Sequence, residues 1–197
     1  MKTNTRKNCV MDRLDTRRRI KALLKEHPDR KCKVYLLHGD MTENELAGLY
    51  THPKIKSLVT LTHGEGFGLP IFEAACHGLP VIAPEWGGQC DFLYAPYRNK
   101  SKAMFSKVSY TIAPIQDFAH WEGVLHPQSN WCYPEPASFK KQLREMMKDH
   151  KKKKKAATTL QKYILQEFAP EKMYQKFADS ILKVCGNQES SVVKVFG

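Results

Sequence analysis

Apolar residues in this chain fall into short runs and helical stripes, and the two kinds alternate. Ile20, Leu23 and Leu24 recur at helical spacing within residues 15 to 26, where Asp15 or Thr16 can cap the start and His27-Pro28-Asp29 ends the segment. Val34 to Leu37 is a short apolar run before Gly39 and predicts a buried strand. Thr42-Glu43-Asn44-Glu45 is a capping box, with Met41 and Leu46 placed as a hydrophobic staple, so a helix is expected from 43 to 50. Leu58 to Leu61 predicts the next strand. Pro70 then opens a helix at its first position, Gly78 closes it, and Leu79 to Ala83 is another buried strand. Short apolar strands alternating with helices imply a parallel sheet covered on both faces, an α/β fold.

The pattern is weaker over residues 94 to 136, where Trp121, Trp131, Tyr133, Pro134 and Pro136 crowd together. One strand near 108 to 113 is expected, then an irregular segment. Ser138 to His150 predicts a helix with Phe139, Leu143, Met146 and Met147 inward. Leu160, Ile164 and Phe168 mark a further helix, and Met173, Phe177, Ile181 and Leu182 a last one. The expected organisation is one domain over 1–185 and a flexible tail over 186–197.

At 197 residues, 42% hydrophobic and 26% charged, the composition suits one well-buried domain and argues against disorder throughout. No apolar run approaches the roughly 18 residues that span a membrane. The basic start lacks the apolar stretch of a signal peptide, so a cytoplasmic protein is expected. The six cysteines contain no CxxC pair and the eight histidines no H-x-H or H-E-x-x-H grouping, so reduced thiols and no structural metal are expected. The net charge of +12 suits nucleic acid, an anionic membrane surface or a phosphate-bearing substrate. Arg17-Arg18-Arg19 and Lys151 to Lys155 carry much of it, and each cluster reads first as a solvated helix face. No interleaved aromatic and basic surface or nucleic-acid motif accompanies them.

The chemistry concentrates in Thr62-His63-Gly64-Glu65-Gly66-Phe67-Gly68-Leu69-Pro70-Ile71-Phe72-Glu73-Ala74. A strand ends, a glycine-rich turn follows and a helix begins, so unpaired amides and the helix dipole favour an anion there. Glu65 lies in the turn, and Glu73 is expected in the first turn of the helix. A carboxylate has two acceptor oxygens and can take both hydroxyls of a vicinal diol. A nucleotide sugar offers diols at both ends and a diphosphate between them. Residue chemistry leaves a second reading open, in which both glutamates only complement the helix dipole. His63, His77 and Trp86 flank the stretch, each readable as a ligand contact or as a packed side chain.

Glu65 to Glu73, written EGFGLPIFE, resembles the donor-site E-x7-E motif of retaining glycosyltransferases with the GT-B fold, the group that includes glycosyltransferase families 1 and 4. Ala74 to Leu93 is similar to the family's continuation, and Val34 to Tyr50 to the strand, capped helix and Leu-Tyr that precede the motif. The resemblance implies the second, Rossmann-like domain of a GT-B enzyme with C-terminal helices. It implies that Glu65 is catalytic and contacts the donor sugar hydroxyls. Gly64, Gly66, Phe67, Gly68 and Leu69 would bind sugar and diphosphate, and Glu73 the ribose diol. The loop at Gly39, Asp40 and Met41 would lie near the base. The donor would be a nucleotide sugar such as UDP-glucose or GDP-mannose, a hexose the group transferred, and no cofactor or metal is implied.

The family's acceptor domain and the opening strands of its donor domain have no counterpart before Val34. Arg6-Lys7-Asn8 resembles the end of the family's diphosphate clamp but lies too near Val34 for the intervening elements, and Lys2-Thr3-Asn4 reads as a strand end. Such a chain reads as a gene fragment, an incomplete open reading frame or one partner of a split transferase, and in the last case an acceptor-domain chain would be its partner. A non-catalytic nucleotide-sugar-binding subunit shares every donor residue. A basic nucleic-acid-binding protein and a sugar-nucleotide epimerase are the readings from other classes. Peripheral contact of the lysine run with an anionic membrane is a further partner reading.

Overall fold

The computed structural model describes residues 1–3 and 8–185. The expectations for Asn4, for Arg6 and Lys7 and for a tail over 186–197 lie outside the described residues. The chain divides into two compact units, Met1–Leu49 and the chain from Tyr50 onward.

In the first unit, α1 (Val10–Lys25) begins ahead of the expected helix start, with Cys9 at its N-cap. Asp15 is therefore not a cap; it lies inside the helix and pairs with Arg19 at 2.9 Å. The buried face is also not the expected apolar stripe. Asp12 and Thr16 are buried, whereas Leu23 is 61% exposed. The Asp12 carboxylate meets His38 Nε2 at 2.9 Å, and such a pair tolerates burial because each member partners the other. Val34 to Leu37 is not a buried strand. A single parallel bridge, Lys2 with Leu37, is formed there, and Tyr35 is 72% exposed. One bridge provides no sheet face on which alternating side chains could pack.

The capping box forms as its residues require. Thr42 N–H donates to Glu45 Oε2 at 2.8 Å and Glu45 N–H donates to Thr42 Oγ1 at 3.3 Å, starting α2 (Glu43–Thr51). The Thr42 amide, and then its hydroxyl, hold the Glu45 carboxyl below its ordinary pKa.

The second unit is built on a three-stranded parallel sheet of β1 (Leu58–Val59), β2 (Val81–Pro84) and β5 (Ser106–Val108), in the order β1-β2-β5. Leu58 registers with Val81, and Ile82 with Ser106. All of β2 is buried, and its alternation feeds two layers. Val81 and Ala83 join a cluster with Ile71 of α3 (Leu69–Cys76), Phe92, and Leu160 and Ile164 of α5 (His150–Glu167). Ile82 joins Val108 and Met146 of α4 (Pro136–Lys148), with Phe139 packed against them. The sheet is thus covered on both faces, as the apolar runs predict.

Gly78 closes α3 at φ 65°. The Leu79 N–H reaches back to Ala74 O at 2.9 Å, and the Gly78 N–H to Ala75 O at 2.9 Å. A member of the lysine run has a structural task here: Lys154 Nζ donates to Gly78 O at 2.7 Å. The run forms the opening of α5, where Lys151, Lys152 and Lys155 are solvated.

The strand expected near 108 to 113 forms as β6 (Tyr110–Pro114), and beyond that expectation residues 94 to 136 are more regular, with β5 and two antiparallel hairpins. The first pairs β3 (Tyr94–Tyr97) with β4 (Lys100–Ala103). Its turn residues Arg98 and Asn99 have φ 48° and 62°, the left-handed pair that matches strand twist in a tight hairpin. The second pairs β6 (Tyr110–Pro114) with β7 (Asn130–Pro134). Met147, expected inward, is 79% exposed, because α4 turns Met146 and Phe139 to the sheet. The last stripe forms α6 (Pro170–Cys185), and Phe177 and Ile181 are exposed on it.

No helix among the described residues is long and apolar enough to cross a membrane. Among them, no group of His, Cys, Asp and Glu could hold a metal ion.

Phe92 is fully buried, with ring centroids of Phe67 and Phe72 at 5.0 and 5.1 Å. Phe92→Ala is expected to cost about 3–5 kcal/mol, read as a lower denaturant midpoint in equilibrium unfolding.

Candidate functional site

After β1 the chain runs through Thr62-His63-Gly64-Glu65-Gly66-Phe67-Gly68 into α3. Gly68 is the N-cap residue at φ 85°, ψ 56°, a left-handed conformation that favours glycine. Its carbonyl accepts the Ile71 and Phe72 N–H groups at 2.9 and 3.0 Å. The N–H groups of Gly66, Phe67, Gly68 and Leu69 find no acceptor among the described residues, and Pro70 has none to offer. Unmet donors at the positive end of a helix are what an anion needs.

A second glycine pair braces this turn from behind. Gly88 N–H donates to Glu65 O at 2.9 Å. A Cβ on Gly88 would lie 1.8 Å from Gly66 O, so the two backbones can approach only because Gly88 has no side chain. Gly87, at φ 91°, would bring a Cβ within 3.0 Å of Glu65 O. The exposed Phe67 rests its ring against the aromatic cluster, 5.2 Å from Phe72 and 5.0 Å from Phe92. Gln89 beneath donates through Nε2 to Pro84 O at 3.2 Å, while its buried Oε1 has no partner.

The two glutamates differ in their surroundings. Glu65 is half-buried, and its carboxylate has no partner among the described residues. Glu73, expected in the first turn of the helix, is instead one turn further on, because α3 begins at Leu69 and has no acid in its first turn. Tyr50, the first residue of the second unit, donates its hydroxyl to Glu73 Oε2 at 3.0 Å. Burial, with the Glu73 hydrogen bond and charge, pushes the Tyr50 phenol up to about 12. This partner was not assigned from sequence, although Tyr50 follows the capping box at the end of α2.

Gly64 lies beside Trp86, whose Nε1 is 4.0 Å from where a Gly64 Cβ would be. Leu69 is exposed at the helix start. Gly39, Asp40 and Met41 belong to the first unit, with Gly39 at φ 109° and Asn8 Nδ2 donating to Asp40 Oδ2 at 2.8 Å. The structure thus brings Glu65 to Leu69 into one turn and ties Glu73 to Tyr50 on the helix that follows.

The flanking histidines are both tied to backbone. His77 Nδ1 donates to Glu73 O at 2.7 Å and His63 Nδ1 to Cys132 O at 2.7 Å. Burial, and then the Glu73 charge, push the Cys76 thiol up, which argues against a thiolate nucleophile at this site.

Comparison with known proteins matches one part of the chain. Two Escherichia coli proteins, each described as serotype-specific mannosyltransferase WbdA, are 41% identical to it over 59 residues. The matched stretch is 30% of this chain and 7% of each relative, so the chain spans a small part of the proteins it matches. No family model matches, and no solved structure matches.

Gly88→Ala is expected to destabilise the second unit by about 1–3 kcal/mol through forced backbone displacement. Gly66→Ala, with nothing within 4 Å of its Cβ, is expected to stay within roughly 0.5 kcal/mol of the parent. Denaturant midpoints of the two variants check this. The raised Tyr50 pKa gives a second prediction. Its neutral form is favoured by folding, so this contribution is intact below pH 10 and is lost as pH rises towards 12. Tyr50→Phe is expected to remove the component near pH 12 from the 295-nm alkaline titration.

Proposed function

We propose that this chain supplies the donor side of a glycosyltransferase, in which the second unit binds a nucleotide sugar and its hexose passes to an acceptor hydroxyl. The observation that carries this reading is the row of unmet amides from Gly66 to Leu69, flanked by the Glu65 and Glu73 carboxylates and braced by Gly87 and Gly88. The likeness over 59 residues to a mannosyltransferase supports it.

The roles follow from the chemistry of each group. The amides receive the diphosphate, to which the net charge of +12 also draws the protein at long range. Glu73 has one oxygen fixed by Tyr50 and offers the other to the ribose hydroxyls. Glu65 takes the sugar hydroxyls, and its charge lies where the anomeric carbon becomes positive. As the bond from that carbon to the phosphate oxygen lengthens, negative charge grows on the leaving diphosphate. Fixed amide dipoles stabilise that charge without reorganising. UDP-glucose and GDP-mannose are the donors to try first. A non-catalytic nucleotide-sugar-binding subunit would use the same contacts and differ only in lacking transfer.

Calorimetric titration with UDP-glucose, GDP-mannose, UDP and GDP tests the reading. Saturable binding of one nucleotide set is expected. Glu73→Ala should weaken the free nucleotide about 10- to 100-fold, the range of a lost hydrogen bond to a charged group. Glu65→Ala should leave the free nucleotide unchanged and remove the added affinity of the sugar. Parent-like binding by both variants, or no binding by the folded parent, would overturn the proposal.

A further inference from the structure

The β6–β7 hairpin rises directly after β5 and returns beside His63, the residue two before Glu65. Trp131 and Tyr133 alternate onto one face of β7, while Cys132 between them is buried on the other. His63 lies against that aromatic face. Its ring is stacked on Trp131 at 4.7 Å and 7°, and meets Tyr133 edge-on at 4.8 Å. The Tyr133 hydroxyl is held by Pro114 O at 2.9 Å. Across Gly64, Trp86 is 40% exposed and 5.7 Å from Tyr110.

The hydrogen bonding of His63 fixes what it can offer. A carbonyl oxygen only accepts, so the contact of Nδ1 with Cys132 O at 2.7 Å places the proton on Nδ1. In the neutral ring Nε2 is then an acceptor, and it has no partner among the described residues. The Cys132 N–H donates back to His63 O at 3.1 Å, so ring and backbone are held together. A rigid acceptor nitrogen beside the half-buried Trp131 and Tyr133 rings and the exposed Trp86 is poorly matched to an anion, and none of these side chains is a cation. It does match a neutral pyranose, whose C–H face packs on an aromatic ring and whose hydroxyls need acceptors.

We propose that His63, Trp86 and Trp131 form a subsite for a neutral saccharide, the acceptor sugar of the transfer, with His63 Nε2 accepting from one of its hydroxyls. The subsite rests on the donor reading only for the word acceptor; its recognition of a pyranose stands on the hairpin. The two indoles and the imidazole border the turn in which Glu65 lies, so a sugar there would have its hydroxyls next to the donor hexose. His63 is a binding residue in this account.

The chain has three tryptophans, which makes the test direct. Indole N–H signals of Trp86, Trp121 and Trp131 are followed by NMR in the full-length nitrogen-labelled chain. Methyl α-mannopyranoside and methyl α-glucopyranoside are added first, and GDP-mannose and UDP-glucose in separate titrations. Saturable shifts of Trp86 and Trp131 by a methyl glycoside are expected, with Trp121, 67% exposed on the hairpin loop, unmoved as an internal control. His63→Phe keeps a flat ring and removes the acceptor nitrogen, and should raise the glycoside midpoint about fivefold or more. Unmoved signals from a folded protein, or equal shifts of all three, would overturn the subsite. Glycoside binding without nucleotide-sugar binding would instead overturn the donor reading, and the reverse pattern would overturn the subsite alone.

Discussion

The close approach of Gly88 to the Glu65–Gly66 backbone is the constraint on which the second unit's turn depends. The exits of β1 and β2 leave the same end of the sheet, and their loops must pass within a hydrogen bond of each other. Any side chain at Gly88 would occupy the space of a carbonyl oxygen. The contact holds the turn so that its outer amides stay free while its inner carbonyl is satisfied. Phe67 complements it from the surface, its exposed ring resting against Phe72 and Phe92. The turn is therefore fixed from two sides, by a missing side chain on one and a large one on the other.

Polar groups around the turn are committed unequally. Tyr50 steadies one oxygen of Glu73, His77 is spent on the Glu73 carbonyl, and Lys154 on the Gly78 carbonyl at the far end of α3. Glu65, the turn amides and His63 Nε2 keep their capacity. The groups that fix α3 at Tyr50, His77 and Lys154 are satisfied within the protein, whereas the outward turn amides, Glu65 and the buried Gln89 Oε1 have no partner among the described residues. That division suits ligand recognition better than stability, since unmet donors and acceptors contribute nothing to folding.

Much of this was legible in the sequence. The capping box at Thr42, the proline in the first turn of α3 and Gly78 at its end act through local rules, and the elements formed as those rules direct, with α3 starting one residue earlier, at Leu69. The run at Leu79 formed β2, buried throughout, because a parallel strand covered on both faces leaves an unbroken apolar record, whereas the run at Leu58 formed only the two-residue β1, with Val59 exposed. The strand β6 was legible, but β7 and the β3–β4 hairpin were not: Pro96 and Pro134 sit within strands, and proline argues against a strand. Val34 to Leu37 failed for the opposite reason, since an apolar run becomes a strand only where neighbours pair with it. The turn that carries Glu65 and the helix that carries Glu73 could be read from the sequence, but not the attachment of Glu73 to Tyr50 or of His63 to Trp131. Those contacts join residues far apart in the chain, and no periodicity records them.

The central place of β2 has a consequence for the order in which the chain assembles. Both of its ladders are parallel, so each waits for a crossover segment to be threaded and compacted before a single inter-strand bond forms. The β3–β4 ribbon needs only its two-residue turn and closes on a microsecond scale in isolation (about 1–10 μs). The rate-limiting step then belongs to the sheet and the helices that cover it, because closure entropy must be met before those distant contacts repay it. Nascent chains would carry formed ribbons long before they carry a formed sheet, and the apolar faces of β2 would be the last surfaces withdrawn from water.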